Sequence, residues 1–316
     1  MSPNGLTYVL ITPARNEKDF IELTIKSVIE QTIRPVRWMI ISDGSTDGTD
    51  EVIKGYTGHH AWIELVRMPE RKERDFGGKV ACFNAGYTKV KTLPWDIIGS
   101  LDADISFDRD YFAFLIERFS ANPRLGVGGT PFREGSSTYD YRFSSIEHVS
   151  GACQLFRRAC FEAVGGYTPI KGGGIDVVAV LSARMRGWET RTFPEKVCVH
   201  HRPMGSANHN PLATNLRLGE KDYALGRHPI WQIARSFYQM TRRPFLVGGS
   251  ALIIGYFRAM LKRTKRPVSR DLIAFQRREQ MRRLRRFALR LVPFIRRPAA
   301  RGGPISAHKP STSPSR

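Results

Sequence analysis

A chain of 316 residues with 41% hydrophobic and 25% charged content can bury a core as one large or two smaller domains, which excludes disorder throughout. Near-average glycine (28) and proline (19) exclude collagen-like and low-complexity classes, and no internal repeat is visible. The net charge of +21 is uneven: residues 242–316 carry 20 Lys and Arg against Asp271 and Glu279, a net of +18, which leaves +3 for residues 1–241.

The opening Met-Ser-Pro-Asn-Gly lacks a basic n-region and a cleavage site, so no signal peptide is expected. From Leu6 to Thr130, short apolar runs alternate with longer amphipathic stretches, the signature of strands and crossover helices around a parallel sheet. The predicted strands are Thr7–Ile11, Arg37–Ser42, Ile63–Arg67, Asp96–Leu101 and Gly126–Thr130. Runs such as Tyr8-Val9-Leu10-Ile11 are apolar on consecutive residues, as strands covered on both faces should be. Helical spacing relates Ile21, Ile25, Val28 and Ile29, and again Val80, Phe83, Tyr87 and Val90. The fold class is therefore α/β, a mostly parallel Rossmann-like sheet with helices on both faces. Ligands in such sheets bind at the carboxyl ends of the strands.

The first such segment, Pro13-Ala14-Arg15-Asn16-Glu17, lacks the G-x-G-x-x-G turn, which disfavours nicotinamide and flavin dehydrogenases. Nor is it the glycine-rich, Lys/Arg-bearing loop that a nucleotidyltransferase needs. After the second strand, Asp43-Gly44-Ser45-Thr46-Asp47-Gly48-Thr49 reads partly as a turn with a helix cap. Asp43 itself ends an apolar strand, where an acid needs a partner, and a base-edge amide of a nucleotide is a suitable donor. Gly77-Gly78-Lys79 opens a helix and is a phosphate neighbour or plain loop punctuation. Asp102-Ala103-Asp104 closes the fourth strand, and the repulsion between its two carboxylates calls for a hard cation, Mn²⁺ or Mg²⁺. His200-His201-Arg202 offers one imidazole as a metal ligand and a guanidinium as a phosphate clamp, though standing alone it also reads as surface histidines.

Pro13–Glu17, Asp43–Thr49, Asp102-Ala103-Asp104, Gly165-Gly166-Tyr167 and Asp176 with Arg184-x-x-Gly187-Trp188 resemble, in order and spacing, glycosyltransferase family 2 with the GT-A fold, over roughly residues 6–203. The resemblance implies that Pro13, Glu17 and Asp43 hold the nucleotide, that Asp104 with Asp102 nearby carries the metal and sugar diphosphate, and that Asp176 is the catalytic base. The donor-contact set is completed by Arg15, Lys79 and Arg202, and the metal set by His200. Two departures stand out. The family's Glu-Asp-x-Asp reads Ile175-Asp176-Val177-Val178 here, so the base survives without its supporting carboxylates. The Gln-x-x-Arg-Trp motif of processive synthases is only approximated by Gln239-Met240-Thr241-Arg242-Arg243, which disfavours polymer extrusion.

Four scattered cysteines, Cys82, Cys153, Cys160 and Cys198, form no Cys-x-x-Cys pair, and a 35.8 kDa chain does not need disulfides, so a reducing cytosol fits. The longest apolar stretch, Pro244 to Phe257, is too short to span a bilayer and reads as interfacial or buried. Further on, Met281, Leu284, Ala288, Leu291 and Ile295 recur at helical steps among arginines, as in a basic amphipathic helix lying on an anionic membrane surface. Nucleic acid, the other polyanion, is disfavoured because the few aromatic residues sit on the apolar face.

The expected organisation is a catalytic domain over 1–205, a helical, basic, membrane-associating extension over 206–297 and a disordered tail over 298–316. The expected function is an inverting, metal-dependent glycosyltransferase, peripheral on the cytoplasmic face of the cell membrane. It would move a sugar from a nucleotide-diphosphate donor to a lipid-linked saccharide acceptor in cell-envelope or extracellular polysaccharide synthesis. The alternatives are a nucleotidyltransferase, or a basic nucleic-acid-binding protein with a degenerate catalytic domain.

Overall fold

The computed structural model describes residues 5–71, 75–135, 145–202, 210–242 and 244–295, with the side chains of Pro211 and of residues 290–295 outside the description. In chain order the elements are β1 (Tyr8–Ala14), α1 (Ile21–Ile29), β2 (Arg37–Ser42), α2 (Thr49–Thr57), β3 (Ile63–Arg67), α3 (Phe76–Val90), β4 (Ile97–Leu101), β5 (Ile105–Ser106), α4 (Tyr111–Ala121), β6 (Leu125–Gly129) and β7 (Phe132–Arg133). There follow β8 (Cys153–Arg157), α5 (Arg158–Val164), α6 (Ile175–Met185), β9 (Glu189–Thr192), β10 (Cys198–His200), α7 (Pro211–Ala224), α8 (Pro229–Met240), α9 (Val247–Leu261) and α10 (Arg270–Ile295).

Among the described residues the main sheet runs β3-β2-β1-β4-β8-β6-β9. Its pairings are parallel except where β8 lies antiparallel between β4 and β6. The consecutive apolar residues of β1, β2 and β4 are buried on both faces, one face joining the cluster of Leu10, Trp38 and Phe112, the other that of Ile11, Ile41 and Phe83. Helices cover both faces for that reason. A second, three-stranded sheet, β5-β10-β7, sits beyond the end of β4. In it His200 pairs with Ile105, which seats the imidazole next to Asp104.

α7, α8 and α9 form a helical unit whose backbones approach closely. A Cβ on Gly219 would lie 2.2 Å from the Leu252 carbonyl oxygen, and one on Gly255 2.0 Å from that of Leu216. α10 then returns to the sheet domain: Leu272 enters the core cluster containing Val178 and Leu225, and Arg277 donates to the Gly226 carbonyl at 3.0 Å. The stripe expected on α10 divides accordingly. Met281 and Leu284 are half-buried against the domain and Ala288 is exposed, while the side chains of Leu291 and Ile295 and the expected tail 298–316 lie outside the described residues. Among the described residues no helix is long and apolar enough to cross a membrane. The apolar stretch from Pro244 instead forms most of α9, with Ala251, Leu252 and Tyr256 buried.

Candidate active site

The loops after β1 and β2 are stitched together before any ligand is considered. Asn16 sits at φ 55°, its backbone N–H donates to the Ser45 hydroxyl at 3.1 Å, and its side-chain oxygen accepts from the Thr46 backbone at 2.9 Å. The Glu17 N–H donates to the Thr49 hydroxyl at 2.8 Å. The N-cap position of α2 falls on Gly48, with no side-chain cap bond, rather than on Asp47 or Thr46; Asp47 instead accepts from the Thr49 N–H at 3.0 Å, the Thr49 hydroxyl at 2.5 Å and the Lys18 N–H at 3.1 Å. Gly44 turns the chain at φ 65°, where a Cβ would stand 2.6 Å from the Glu70 backbone. Only glycine fits both demands.

This framework positions Pro13, Arg15, Glu17 and Asp43 at the ends of β1 and β2. Asp43, expected to seek a nucleotide partner, is held by Arg71: Nε donates to Oδ1 at 2.9 Å and Nη2 to Oδ2 at 2.6 Å. Arg15 adds a contact at 3.5 Å. Arg71 was not legible as a site residue, since it lies in a polar loop 28 positions from its partner. Glu17 is buried and ion-paired with Arg202, whose Nε also lies 3.9 Å from Asp104. Arg202 thus links the first-strand loop to the acidic pair.

Around Asp102 and Asp104 the charges converge. Lys79 forms an ion pair with Asp102. Burial pushes the Asp102 carboxyl above its ordinary range, Lys79 opposes that shift and Asp104 adds to it. On Lys79 burial pulls the other way, but Asp102, Asp176 and Asp104 together hold its pKa above the ordinary value. His200, rather than His201, faces the acids. Its Nε2 is 3.5 Å from Asp104 Oδ1 and its Nδ1 3.2 Å from the Glu134 carboxylate, whereas His201 Nε2 contacts the Ser106 hydroxyl at 2.8 Å. Glu134 is a second neighbour that the sequence did not single out.

The residues fit a divalent cation in their placement and chemistry. One ligand atom each from Asp102, Asp104 and His200 falls within 4.8 Å of the others. Two carboxylates and an imidazole suit Mn²⁺ or Mg²⁺.

Asp176 stands in the first turn of α6. Gly174 precedes it at φ 91°, where a Cβ would lie 2.7 Å from a Leu225 methyl, so the helix start is pressed against the end of α7. The positions of the lost family acids, Ile175 and Val178, are buried in the apolar core, which explains how the helix does without them. A cavity of about 160 Å³ brings together Lys79, Asp102, Asp176 and His200, with Tyr167 in its wall. The Tyr167 hydroxyl donates to Gln154 Oε1 at 2.8 Å, and burial raises its pKa well above the ordinary value. The four cysteines are buried and unpaired, and burial pushes the Cys82 thiol up to about 12.

Strand ends that gather Lys79, Asp102, Asp176 and His200 about one cavity define an α/β fold with its candidate ligand site at the carboxyl ends of the strands. The family model for glycosyl transferase family 2 matches residues 9–172, and the chain belongs to that family. It is similar to a poly-beta-1,6-N-acetyl-D-glucosamine synthase of Staphylococcus aureus strain MSSA476, 27% identical over 214 residues that cover 61% of this chain and 49% of that protein. A synthase of the same name from Staphylococcus epidermidis is 29% identical over the same coverage. The chain therefore spans about half the length of the curated relatives it matches. Among solved structures, the mannosyltransferase PcManGT from Pyrobaculum calidifontis, in complex with GDP-Man and Mn²⁺, superposes with a TM-score of 0.55 at 18% identity, covering 92% of this chain and 83% of that one. Staphylococcus aureus TarS gives 0.52 at 11% identity over 83% and 44%. These likenesses establish the GT-A fold.

Proposed function

We propose that the chain is an inverting glycosyltransferase that uses a nucleotide-diphosphate sugar and a divalent cation, with Asp176 as its base. The observation that carries this reading is the single cavity in which Asp176, Lys79, Asp102 and His200 meet. Asp102, Asp104 and His200 would hold Mn²⁺ or Mg²⁺, which when bound supplies positive charge for the diphosphate leaving group. Pro13, Arg15, Glu17 and Asp43 would contact the nucleotide, with Lys79 and Arg202 near its phosphates. The Asp176 carboxylate takes the proton of an acceptor hydroxyl as that oxygen bonds to the anomeric carbon. The bond from that carbon to the diphosphate oxygen breaks, its electron pair leaving with the nucleoside diphosphate, and a single displacement inverts the centre.

The acceptor in this reading is a lipid-linked saccharide of cell-envelope or extracellular polysaccharide synthesis, reached at the cytoplasmic membrane face from a peripheral position. It is supported by the likeness to polysaccharide synthases and by the basic helical region from residue 206 onward. The catalytic unit would be 1–205, with the extension over 206–297 and the tail over 298–316.

The test is thermal-shift titration with UDP, GDP and their sugars, with and without Mn²⁺, on the wild type and Asp104→Ala. Binding to the native state raises apparent stability. The expected result is a Mn²⁺-dependent shift that Asp104→Ala removes, and an unchanged shift in that variant excludes the assignment.

A further inference from the structure

Six large apolar side chains are turned to solvent on α8 and the segment that follows it. On α8, Ile230, Ile233 and Phe237 follow one another at steps of three and four and are all exposed, Phe237 at 61%, while Trp231, Gln232 and Ser236 on the other side are buried. Beyond the end of α8, Phe245, Leu246 and Val247 are exposed in succession, Leu246 at 67%. Leu246 adopts φ 58° and ψ −51°, and the Val247 N–H donates to the Phe245 carbonyl at 2.6 Å, which is the rare, strained γ-turn. The Leu246 N–H donates back to the Met240 carbonyl at 3.0 Å, so this turn is anchored to the end of α8. A non-glycine residue held in a strained conformation to present apolar side chains to water is the kind of feature that marks a functional surface.

The charge of the neighbouring helix α10 selects the occupant of this surface. The His228 N–H at the head of α8 donates to Gln280 of α10 at 2.8 Å, and from that junction α10 carries exposed Arg282, Arg285 and Arg286 together with exposed Phe287 and Leu289. Across the described residues from Pro244 to Leu289 the acids are Asp271 and Glu279, and Glu279 is already ion-paired with Arg184. A second copy of the chain would bring like charges together, which costs association free energy. A nucleic-acid backbone offers no apolar depth to the exposed Ile230, Ile233, Leu246 and Val247. An anionic bilayer satisfies both parts, apolar depth for the turn and the α8 stripe and negative headgroups for the arginines.

We propose that Ile230, Ile233 and Phe237 of α8 and the Phe245–Val247 turn form the surface that inserts into an anionic lipid bilayer, with the exposed arginines of α10 on its headgroups. The inference rests on the membrane-face reading of the proposed function and replaces the repeating stripe of α10 as the main apolar contact.

The test is cosedimentation of the full chain with vesicles of phosphatidylcholine alone or mixed with phosphatidylglycerol, at about 0.15 M salt and at several-fold higher salt. The wild type is expected to bind the mixed vesicles and to keep part of that binding at high salt. Phe237→Ser/Leu246→Ser should weaken it about ten-fold or more, since two buried apolar side chains are lost, and make the remainder salt-reversible. Arg285→Gln/Arg286→Gln should weaken only the binding that depends on phosphatidylglycerol. Leu246→Cys carrying an environment-sensitive dye gives an independent readout, a blue shift on adding mixed vesicles. Wild-type binding by the Phe237→Ser/Leu246→Ser variant, or no blue shift, overturns the proposal. So does failure of the wild type to bind while these same substitutions break up a dimer, or while RNA binds. Mn²⁺-dependent nucleotide binding, measured alongside in every variant, separates failure of this surface from failure of the catalytic reading.

Discussion

Arg71 grips Asp43 through two parallel hydrogen bonds, Nε to Oδ1 at 2.9 Å and Nη2 to Oδ2 at 2.6 Å. The fork geometry fixes the plane of the carboxylate as well as its charge. It uses one edge of each oxygen and leaves the remaining lone pairs for an amide donor such as a base edge. The Arg71 guanidinium packs at Gly78 in the first turn of α3, where a Cβ would lie 1.6 Å from Nη2.

The expected result for Arg71→Ala is therefore nucleotide affinity lowered about ten-fold, the scale of one charge-assisted hydrogen bond, with Arg71→Lys recovering only part because it lacks the fork. Isothermal titration with nucleoside diphosphates checks it. A gain in affinity for Arg71→Ala would show instead that the guanidinium competes with the base for Asp43.

For Asp176→Asn, donor binding should persist while turnover falls at least about 10²-fold, the lower end of a general base's contribution. The amide keeps the shape of the first turn of α6 and the cavity wall but cannot accept the proton. Donor affinity and single-turnover rate measured separately decide the matter, and equal loss of both would make Asp176 a binding or structural residue.

A third expectation concerns pH. Glu147 contacts Arg184 of α6 at 2.8 Å and Arg283 of α10 at 2.9 Å, so it ties the two helices together. Burial would raise its pKa, but Arg184, Ser145 and Arg283 outweigh that and hold it below the ordinary 4.5. A carboxyl whose folded pKa is depressed binds protons more readily in the unfolded state, so its stabilisation is present above 4.5 and is lost as pH falls through the lower folded value. Its side chain is 46% exposed, so solvent screening limits the contribution to about 1 kcal/mol. Glu147→Gln should lower Tm by about 2 °C at pH 7, with the difference from wild type closing as pH drops below 4. A gap that persists unchanged at low pH would rule out the ionic origin.

Much of the frame was legible because its strands are buried on both faces. β2 and β3 fall at Arg37–Ser42 and Ile63–Arg67 as the apolar runs indicate, and the others differ by one to three residues at their ends. β8 was not legible. Its apolar run is broken by Gln154, which is buried only because it accepts from Tyr167 and donates to the Val149 carbonyl at 3.0 Å, partners that exist only in the folded chain. β5, β7 and β10 are two or three residues long, too short for any periodicity, yet they seat His200 against Asp104. Acidic residues at strand ends could be read from position, but their counter-ions could not. Arg71, Glu134 and the pairing of Arg202 with Glu17 join segments 28 to 185 residues apart, and nothing local marks them.

The helices from α7 onward have the same lesson in their packing. Leu272 of α10 is buried in the cluster that also holds Leu225, Ile175 and Val178, so α10 supplies part of the wall behind the first turn of α6 and Asp176. Gly226 has room for no side chain, because a Cβ would meet Ile273 at 2.4 Å. Leu272→Ala should cost about 2–5 kcal/mol, the range for a buried leucine leaving a cavity, and lower Tm by about 5 °C or more. The same variant should lose turnover while the Asp43–Arg71 edge continues to bind nucleotide, because the cavity opens under α6 rather than under β1 and β2. Differential scanning fluorimetry together with nucleotide titration checks both halves. A variant with wild-type Tm and turnover would show that α10 merely rests on the catalytic unit, and a chain cut after Arg235 would then be expected to fold and bind donor unaided.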